Sequence, residues 1–512
     1  MYIGGDMKER VTLKYKSSSG QEYLYDDCTG NIFVWNEIKE KVLEQCNGSG
    51  DLISLKENLY HLYDIDEVDE AINEIDYWIN NYYAFYRDTE QLKFHQLEDN
   101  STILEVMKSV NNTCLISLTD QCNLNCKYCI YSDEYSLTKL KSNKKMMANM
   151  IEPIIEFYSK FIQDEIINNP IKMYNISFYG GEPLLNLEIM LELIDRFNDV
   201  YPGRFLFNIT TNGLKLDINT FEKLMERNVN ILVSLDGEEK QHDRLRVDYS
   251  NQGSFKIILK NLYEIKEKYP EYYFSKIGLA AVYDICTDII KNNDFFEACT
   301  REYLLPPIKL VNGVSNLNTT YYEKFTKEDV ENHRKMKEIL ERKYINNILD
   351  DKENNNYLIG LFAMEYLMII MRKRVYDVLP IDIPFGGTCF PGQKIFIDTN
   401  GTLGLCERVN GSHSFGNIYD GVNEAKIEQI LTQYKKEVLK NCSKCPVSKI
   451  CSNCFNTFEC DGNFKYDINR CNESITFIRN NISKYSTLLE KVPKTKLVSN
   501  LENLFKDEFI NL

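Results

Sequence analysis

Between residues 106 and 320, short and almost wholly apolar runs alternate with longer stretches whose apolar residues return every three or four positions. The runs fall at 113–118, 174–179, 205–209, 231–235 and 277–282, with a weaker one at 308–311. Helical stretches such as 147–163 and 255–268 lie between them. A strand that is apolar on both faces needs cover on both, and intervening helices supply it, so the pattern predicts parallel pairing. Repeated six times, it predicts an α/β fold with a partial (β/α)6 barrel over 106–320 and its chemistry at the strands' C-terminal ends.

The flanking regions follow other rhythms. Within residues 1–100, strands are predicted at 12–15, 22–25 and 32–35, with turns at Gly20 and at Thr29-Gly30. Helices follow at 36–44, near Leu52 and at 68–83. The last carries Val68, Ile72, Ile75 and Ile79 at helical spacing, with Asp66 as its expected N-cap. Residues 321–380 read as bridging helices and 491–512 as a C-terminal helix. The most apolar stretch, 357–371, is interrupted by Glu365 and followed by Arg372, Lys373 and Arg374. It is too short to span a bilayer and reads as a buried helix. Residues 381–490 lack long apolar periodicity, so that region is expected to be held together by metal.

The candidate chemistry sits where the strands end. Residues 119–131, TDQCNLNCKYCIY, place Cys122, Cys126 and Cys129 in a C-x3-C-x2-C loop directly after the first strand. Such a loop can give three thiolates to three irons of a [4Fe–4S] cube and leave the fourth iron to a small molecule. The competing reading is zinc, which takes four ligands; no fourth Cys or His lies nearby. Gly180-Gly181-Glu182-Pro183 follows the second strand, Thr210-Thr211-Asn212-Gly213 the third, and Ser234-Leu235-Asp236-Gly237 closes the fourth.

On these motifs, in this order, the chain resembles the radical SAM enzymes. The resemblance implies that S-adenosylmethionine chelates the open iron and is cleaved to a 5′-deoxyadenosyl radical. It places the Gly180 and Gly181 carbonyls on the methionyl ammonium, with Glu182 adding a charged contact. It sets Thr211 and Asn212 beside the adenosyl group, Ser234 near the ribose and Tyr128 near the adenine. Arg246, which closes His242-Asp243-Arg244-Leu245-Arg246, is implied at the methionyl carboxylate. Asp236 is expected to face the substrate space as a candidate catalytic base. Cys114, Cys286 and Cys299 are expected in the core.

The C-terminal cysteines resemble the SPASM extension, which implies two auxiliary [4Fe–4S] clusters over 381–490. Cys389 precedes a G-x4-C ending at Cys406; then come Cys442, Cys445, Cys451, Cys454, Cys460 and Cys471. The resemblance assigns Cys389, Cys406 and Cys454 to the first cluster, and Cys442, Cys445, Cys451 and Cys471 to the second. The chain departs from the pattern in the two residues before Cys454, where three are usual, and in the extra Cys460. If Cys460 is a ligand, both clusters are closed. If the Asp461-Gly462 turn carries it away, the first cluster keeps an iron open to a substrate thiolate. A zinc ribbon built from the two C-x2-C pairs is the competing reading.

Residues 1–100 resemble a winged-helix-like peptide-binding domain, the RiPP recognition element, which takes a leader peptide as an added strand. The net charge of −16 weighs against a nucleic-acid partner. The N-terminus has no apolar signal core, so the expected setting is cytoplasmic, and sixteen cysteines in a reducing compartment point to metal. The expected enzyme is a peptide-modifying oxidoreductase. It would form sulfur-to-carbon thioether crosslinks in a Cys-rich precursor and draw electrons from a flavodoxin or ferredoxin, with no membrane partner. The competing classes are a carbon–carbon crosslinking or epimerising maturase, an anaerobic sulfatase-activating enzyme, and a multi-cluster electron-transfer protein.

Overall fold

The computed structural model describes residues 9–46, 52–88, 93–94, 102–135, 141–371, 382–383, 391–409 and 411–497. Cys389 and most of the expected C-terminal helix lie outside the described residues.

Three antiparallel strands open the chain: β1 (Thr12–Lys16), β2 (Glu22–Asp26) and β3 (Asn31–Val34), paired in that order. Helices α1 (Glu37–Gln45), α2 (Leu52–Tyr60) and α3 (Ile65–Tyr82) follow. The sheet is buried on both faces. Leu24, Phe33 and Trp35 form a core with Val42, Val68 and Ile72, while Leu13, Tyr15 and Tyr25 belong to the core of the main body. The α3 N-cap is Asp64, not Asp66: the Asp64 side chain accepts from the Asp66 and Glu67 amides, and the helix starts three residues before the expected position. Periodicity located the apolar face, but the cap belongs to the residue whose carboxylate reaches the free first-turn amides.

The six predicted strands are present and parallel: β4 (Thr113–Thr119), β5 (Tyr174–Gly180), β6 (Phe205–Thr211), β7 (Asn230–Ser234), β8 (Ile277–Tyr283) and β9 (Ile308–Gly313). All seven residues of β4 are buried, as cover on both faces requires. Covering helices include α4 (Ile151–Asn168), α5 (Leu187–Val200), α6 (Ile218–Met225), α7 (Phe255–Lys268) and α8 (Ile289–Arg301).

The sheet does not end at β4. After α9 (Lys327–Leu349) and α10 (Asn356–Met371), β10 (Lys394–Ile397) lies parallel beside β4, pairing Lys394 with Thr113. Then β11 (Thr402–Gly404), β12 (Gly416–Asn417) and β13 (Gly421–Val422) extend it antiparallel, giving ten strands among the described residues. The expectation that metal alone holds 381–490 is therefore corrected. Leu403, Phe415 and Ile418 are buried with the barrel core, as are Ile427, Leu431 and Tyr434 of α11 (Glu424–Tyr434). These apolar residues are spread over short strands and one helix, so no single period reveals them.

α10 is a core helix: Tyr357, Leu358 and Phe362 are buried, and a Cβ on Gly360 would stand 2.7 Å from Val311 of β9. No helix among the described residues is long and apolar enough to cross a membrane. Cys114 and Cys299 are buried as expected; Cys286 is exposed, because it sits in the turn after β8 rather than in the strand.

Candidate active site

The loop after β4 is fixed by backbone bonds on both flanks. Asn125 and Lys127 amides donate to the Val247 and Leu245 carbonyls, at 2.7 and 2.9 Å. On the other side, Gly181 N donates to Thr119 O at 2.7 Å and Glu182 N to Gln121 O at 2.8 Å. That approach explains the two glycines. A Cβ on Gly180 would lie 2.3 Å from Thr119 O, and one on Gly181 would lie 2.0 Å from Gln121 O; Gly180 also has φ +136°. The close atoms are backbone, so a side chain at either position requires the two loops to part.

Glu182 ties the second and third motifs together. Its buried carboxylate accepts from Thr211 Oγ1 (2.7 Å), Asn212 N (2.8 Å) and Leu184 N (3.1 Å). Burial pushes its pKa up, and these three donors oppose the shift. Asn212 Nδ2 then donates to Asn123 Oδ1 at 2.7 Å and approaches Cys122 Sγ at 3.8 Å. The carboxylate expected to meet a ligand ammonium is thus already engaged in holding Thr211 and Asn212 against the cysteine loop.

A second buried set stands opposite. Arg246 Nη1 donates to the Tyr128 hydroxyl (2.6 Å), which donates to Asp236 Oδ2 (2.8 Å); Asp236 Oδ1 accepts from Val282 N (3.1 Å). Burial raises the Asp236 pKa, opposed first by Arg246, and drives the Tyr128 phenol well above its usual range. This corrects the expectation for Asp236. It does not line the cavity, and both its oxygens are taken. A buried carboxylate must be paired, and here the pairing turns it behind Tyr128.

The His242 ring explains how Arg246 is held. Ser254 Oγ donates to Arg246 O (2.9 Å), so it accepts from His242 Nε2, while His242 Nδ1 accepts from Asp236 N (3.2 Å). Burial holds this imidazole neutral, its pKa well below the usual value. Asp243 caps α7 through the Ser254 and Phe255 amides, and Arg244 forks onto Asp284 at 2.6 and 3.0 Å. Only the last residue of the motif reaches the cavity.

That cavity, about 400 Å³, is walled by Cys122, Cys126, Cys129, Tyr128, Gly180, Gly181, Glu182, Thr211, Asn212, Ser234 and Arg246. Sequence reasoning missed Tyr131, Tyr179, Lys141 and Arg408, which share the wall. Arg408 had no signal, since it arrives from the C-terminal extension by way of β10 and β11.

The C-terminal cysteines separate in space. Cys442, Cys445, Cys451 and Cys471 line one cavity of about 540 Å³ with Tyr434, Phe458 and Tyr466. Cys406 lines another, about 260 Å³, beside Ser117, Gly180 and Gly181; burial raises its pKa first, with Glu407 and Cys454 adding to the rise. Cys460 is exposed on a hairpin of β14 (Glu459–Cys460) and β15 (Asn463–Phe464) turning at Asp461-Gly462. Among the described residues no three His, Cys, Asp or Glu side chains close on a single metal ion.

Residues 116–282 match the model of the Radical SAM superfamily. Over those residues the chain resembles a radical SAM domain. Strands β4 to β8 and all four motifs lie within that match, apart from the first three residues of β4 and the last residue of β8. The chain is 26% identical over 467 residues to a radical SAM cyclopropyl synthase, TigE, of Paramaledivibacter caminithermalis, covering 87% of this chain and 89% of that protein. It is 30% identical over 148 residues to a cysteine-type anaerobic sulfatase-maturating enzyme of Clostridium novyi, covering 28% of this chain and 37% of that enzyme. A structure of native anSMEcpe with bound AdoMet and Kp18Cys peptide shares the fold, with TM-score 0.52 and 18% identity, over 77% of this chain and 99% of that one.

The radical SAM domain implies a [4Fe–4S] cluster and S-adenosylmethionine, and the residues present fit them. Three thiols face one cavity, the two glycines open a cradle that any Cβ would fill, and the buried Arg246 Nε has no partner among the described residues. Arg246→Lys is expected to raise the S-adenosylmethionine concentration for half-maximal cleavage by about 30-fold, because a lone ammonium cannot serve both Tyr128 and a carboxylate. Deoxyadenosine formation titrated with S-adenosylmethionine reads this, and an unchanged midpoint would remove Arg246 from the cofactor.

Proposed function

We propose that this chain is a radical SAM enzyme that takes a hydrogen atom from a residue of a ribosomally made precursor peptide and closes a new bond within that peptide. The observation that carries the proposal is the single cavity joining the three loop cysteines to the motifs of three neighbouring strands. When bound, the cluster and S-adenosylmethionine supply the hydrogen-abstracting 5′-deoxyadenosyl radical. Cys122, Cys126 and Cys129 would give the thiolates. Arg246 would hold the methionyl carboxylate, the Gly180 and Gly181 carbonyls the ammonium, and Ser234 the ribose. Tyr128 would lie beside the adenine, and Thr211 and Asn212 beside the adenosyl group. Glu182 and Asp236 position these groups, Glu182 through Thr211 and Asn212, Asp236 through Tyr128. The N-terminal three-stranded unit would bind the leader, and a flavodoxin or ferredoxin would supply the electron.

The closure we favour is a thioether in a Cys-rich peptide. Cys406 lies apart from the cavity of Cys442, Cys445, Cys451 and Cys471, and Cys460 lies exposed, an arrangement suited to a first auxiliary cluster with one iron left for a substrate thiolate. Cys389 and Cys454 would complete that set, and Cys442, Cys445, Cys451 and Cys471 would hold the second cluster. The carbon's hydrogen atom would pass to the deoxyadenosyl radical, the thiol's proton to solvent and the surplus electron to the first auxiliary cluster. A second reading, closure of a cyclopropane, is supported by the resemblance to TigE over most of both chains.

One experiment separates them. The anaerobically reconstituted enzyme is incubated with the short peptide encoded beside its gene, and the product is alkylated and weighed. A thioether removes a pair of hydrogens and one alkylatable thiol per bond. A cyclopropane removes the hydrogens and keeps every thiol, and epimerisation changes neither. Conversion of a cysteine to an aldehyde, with loss of its sulfur, would favour the sulfatase-type reaction.

A further inference from the structure

We propose that the N-terminal unit is a structural part of the site formed by Cys442, Cys445, Cys451 and Cys471, and that Asp27 positions its cysteine loop. The inference rests on reading those four cysteines as ligands of the second auxiliary cluster.

Asp27 and Arg87 are among the most buried charged residues described, at 0% and 1% exposure, and pair at 2.7 Å. Tyr25 OH also donates to Asp27 Oδ1 (3.3 Å) and Arg87 Nη2 to Asp27 O (3.3 Å), and four further bonds leave the N-terminal unit. Arg87 Nη1 donates to Ser443 O (3.2 Å) and Ser448 Oγ (3.4 Å); Asp27 Oδ1 accepts from Lys449 N (2.9 Å), and Asp27 Oδ2 accepts from Ser448 Oγ. Ser443, Ser448 and Lys449 all lie between Cys442 and Cys451, in the loop that carries three of the four cysteines. Ser448 itself lines their cavity.

The fourth cysteine is held the same way. Cys471 lies on α12 (Ile468–Leu489), and that helix is tied to β1 and its turn. Tyr15 bonds Ser486 (2.7 Å), Ser18 N donates to Thr487 Oγ1 (2.9 Å), and Ser483 Oγ donates to Lys16 O (2.6 Å). Both elements that bear the four thiols therefore rest on the N-terminal sheet. The 442–451 loop has little regular structure of its own, so its buried backbone groups depend on Asp27 and Arg87 for partners. Loading the cluster and ordering the N-terminal unit must then favour each other, because coupling between two sites is reciprocal.

The test uses the full chain, by hydrogen exchange and iron analysis. Reconstitution is expected to slow amide exchange at 25–29 and 84–87 by about 10-fold. Cys442→Ala should bind about four fewer irons and exchange as the apo protein does, whereas Cys126→Ala, also short by about four, should exchange as the wild type. Asp27→Ala should show the iron deficit of Cys442→Ala. Asp27→Asn, which keeps an oxygen for the Lys449 amide, should recover the irons. Wild-type iron in Cys442→Ala would refute the cluster assignment itself. An iron deficit in Cys442→Ala with unchanged exchange at 25–29 and 84–87, or full loading of Asp27→Ala, would overturn the inference alone.

Discussion

On the proposed reading, Cys126→Ala abolishes reductive cleavage of S-adenosylmethionine and spares the auxiliary sites: this is the largest effect expected of any single substitution here. The loop presents three thiols, and the backbone around them is pinned from both sides, by Leu245 and Val247 and by Gly181 and Glu182. Cys442, Cys445, Cys451 and Cys471 line a separate cavity and are not placed to substitute for Cys126. Burial raises the pKa of the Cys126 thiol, and the Arg246 charge opposes that rise. Loss of the site-differentiated cluster should lower deoxyadenosine formation at least about 1,000-fold, a barrier change of roughly 4 kcal/mol. Anaerobic reconstitution followed by chromatography of the nucleoside product reads it. Wild-type turnover would mean that the cluster is held elsewhere.

Gly181→Ala should come next. The added methyl would stand 2.0 Å from Gln121 O, 2.5 Å from Gln121 C and 2.9 Å from Asp120 O, all backbone atoms of the cysteine loop. Relief requires the two loops to part, which breaks the bonds from Gly181 N and Glu182 N and moves Cys122 relative to Asn212. Overpacking of this kind costs roughly 1–3 kcal/mol of stability. The catalytic cost is larger, since a shift of about 1 Å between reacting groups can cost about 100-fold in rate. The variant should fold, with a lowered unfolding temperature, and cleave S-adenosylmethionine at least about 100-fold more slowly. Near-normal cleavage would show that the close approach of the two loops is unnecessary.

The structure changes how peptide recognition can be examined. Removing residues 1–100 would take Leu13, Tyr15 and Tyr25 out of the core of the main body and strip Asp27 and Arg87 from the loop of Cys442 to Cys451. A truncated protein that fails to process a precursor would therefore not isolate leader binding. Substitutions on the outer face of the unit keep these contacts: Val34 at the β3 edge is 56% exposed and Tyr77 on α3 is 51% exposed.

The barrel was legible because its signals are local. Six apolar runs separated by helical periods define parallel strands, and each motif falls just after or at the end of one, so position and chemistry agree. The cysteine loop, the two glycines and Arg246 share one cavity wall for that reason. The N-cap of α3 and the exposure of Cys286 were misread. Each turns on where an element begins or ends, and periodicity marks that poorly.

By itself, the sequence determined which strands exist, their parallel order and the set of residues that meet at their ends, since these follow from burial on both faces and from short-range spacing. Only the tertiary structure decided that β10 joins the barrel sheet beside β4 and brings Arg408 to the cavity wall. Only it showed Asp236 turned behind Tyr128 and Glu182 spent on Thr211 and Asn212. Only it showed Asp27 reaching a loop more than 400 positions away in the chain. Such contacts are chosen by the need of each buried polar group for a partner, and the partner's distance along the chain leaves no trace in local pattern.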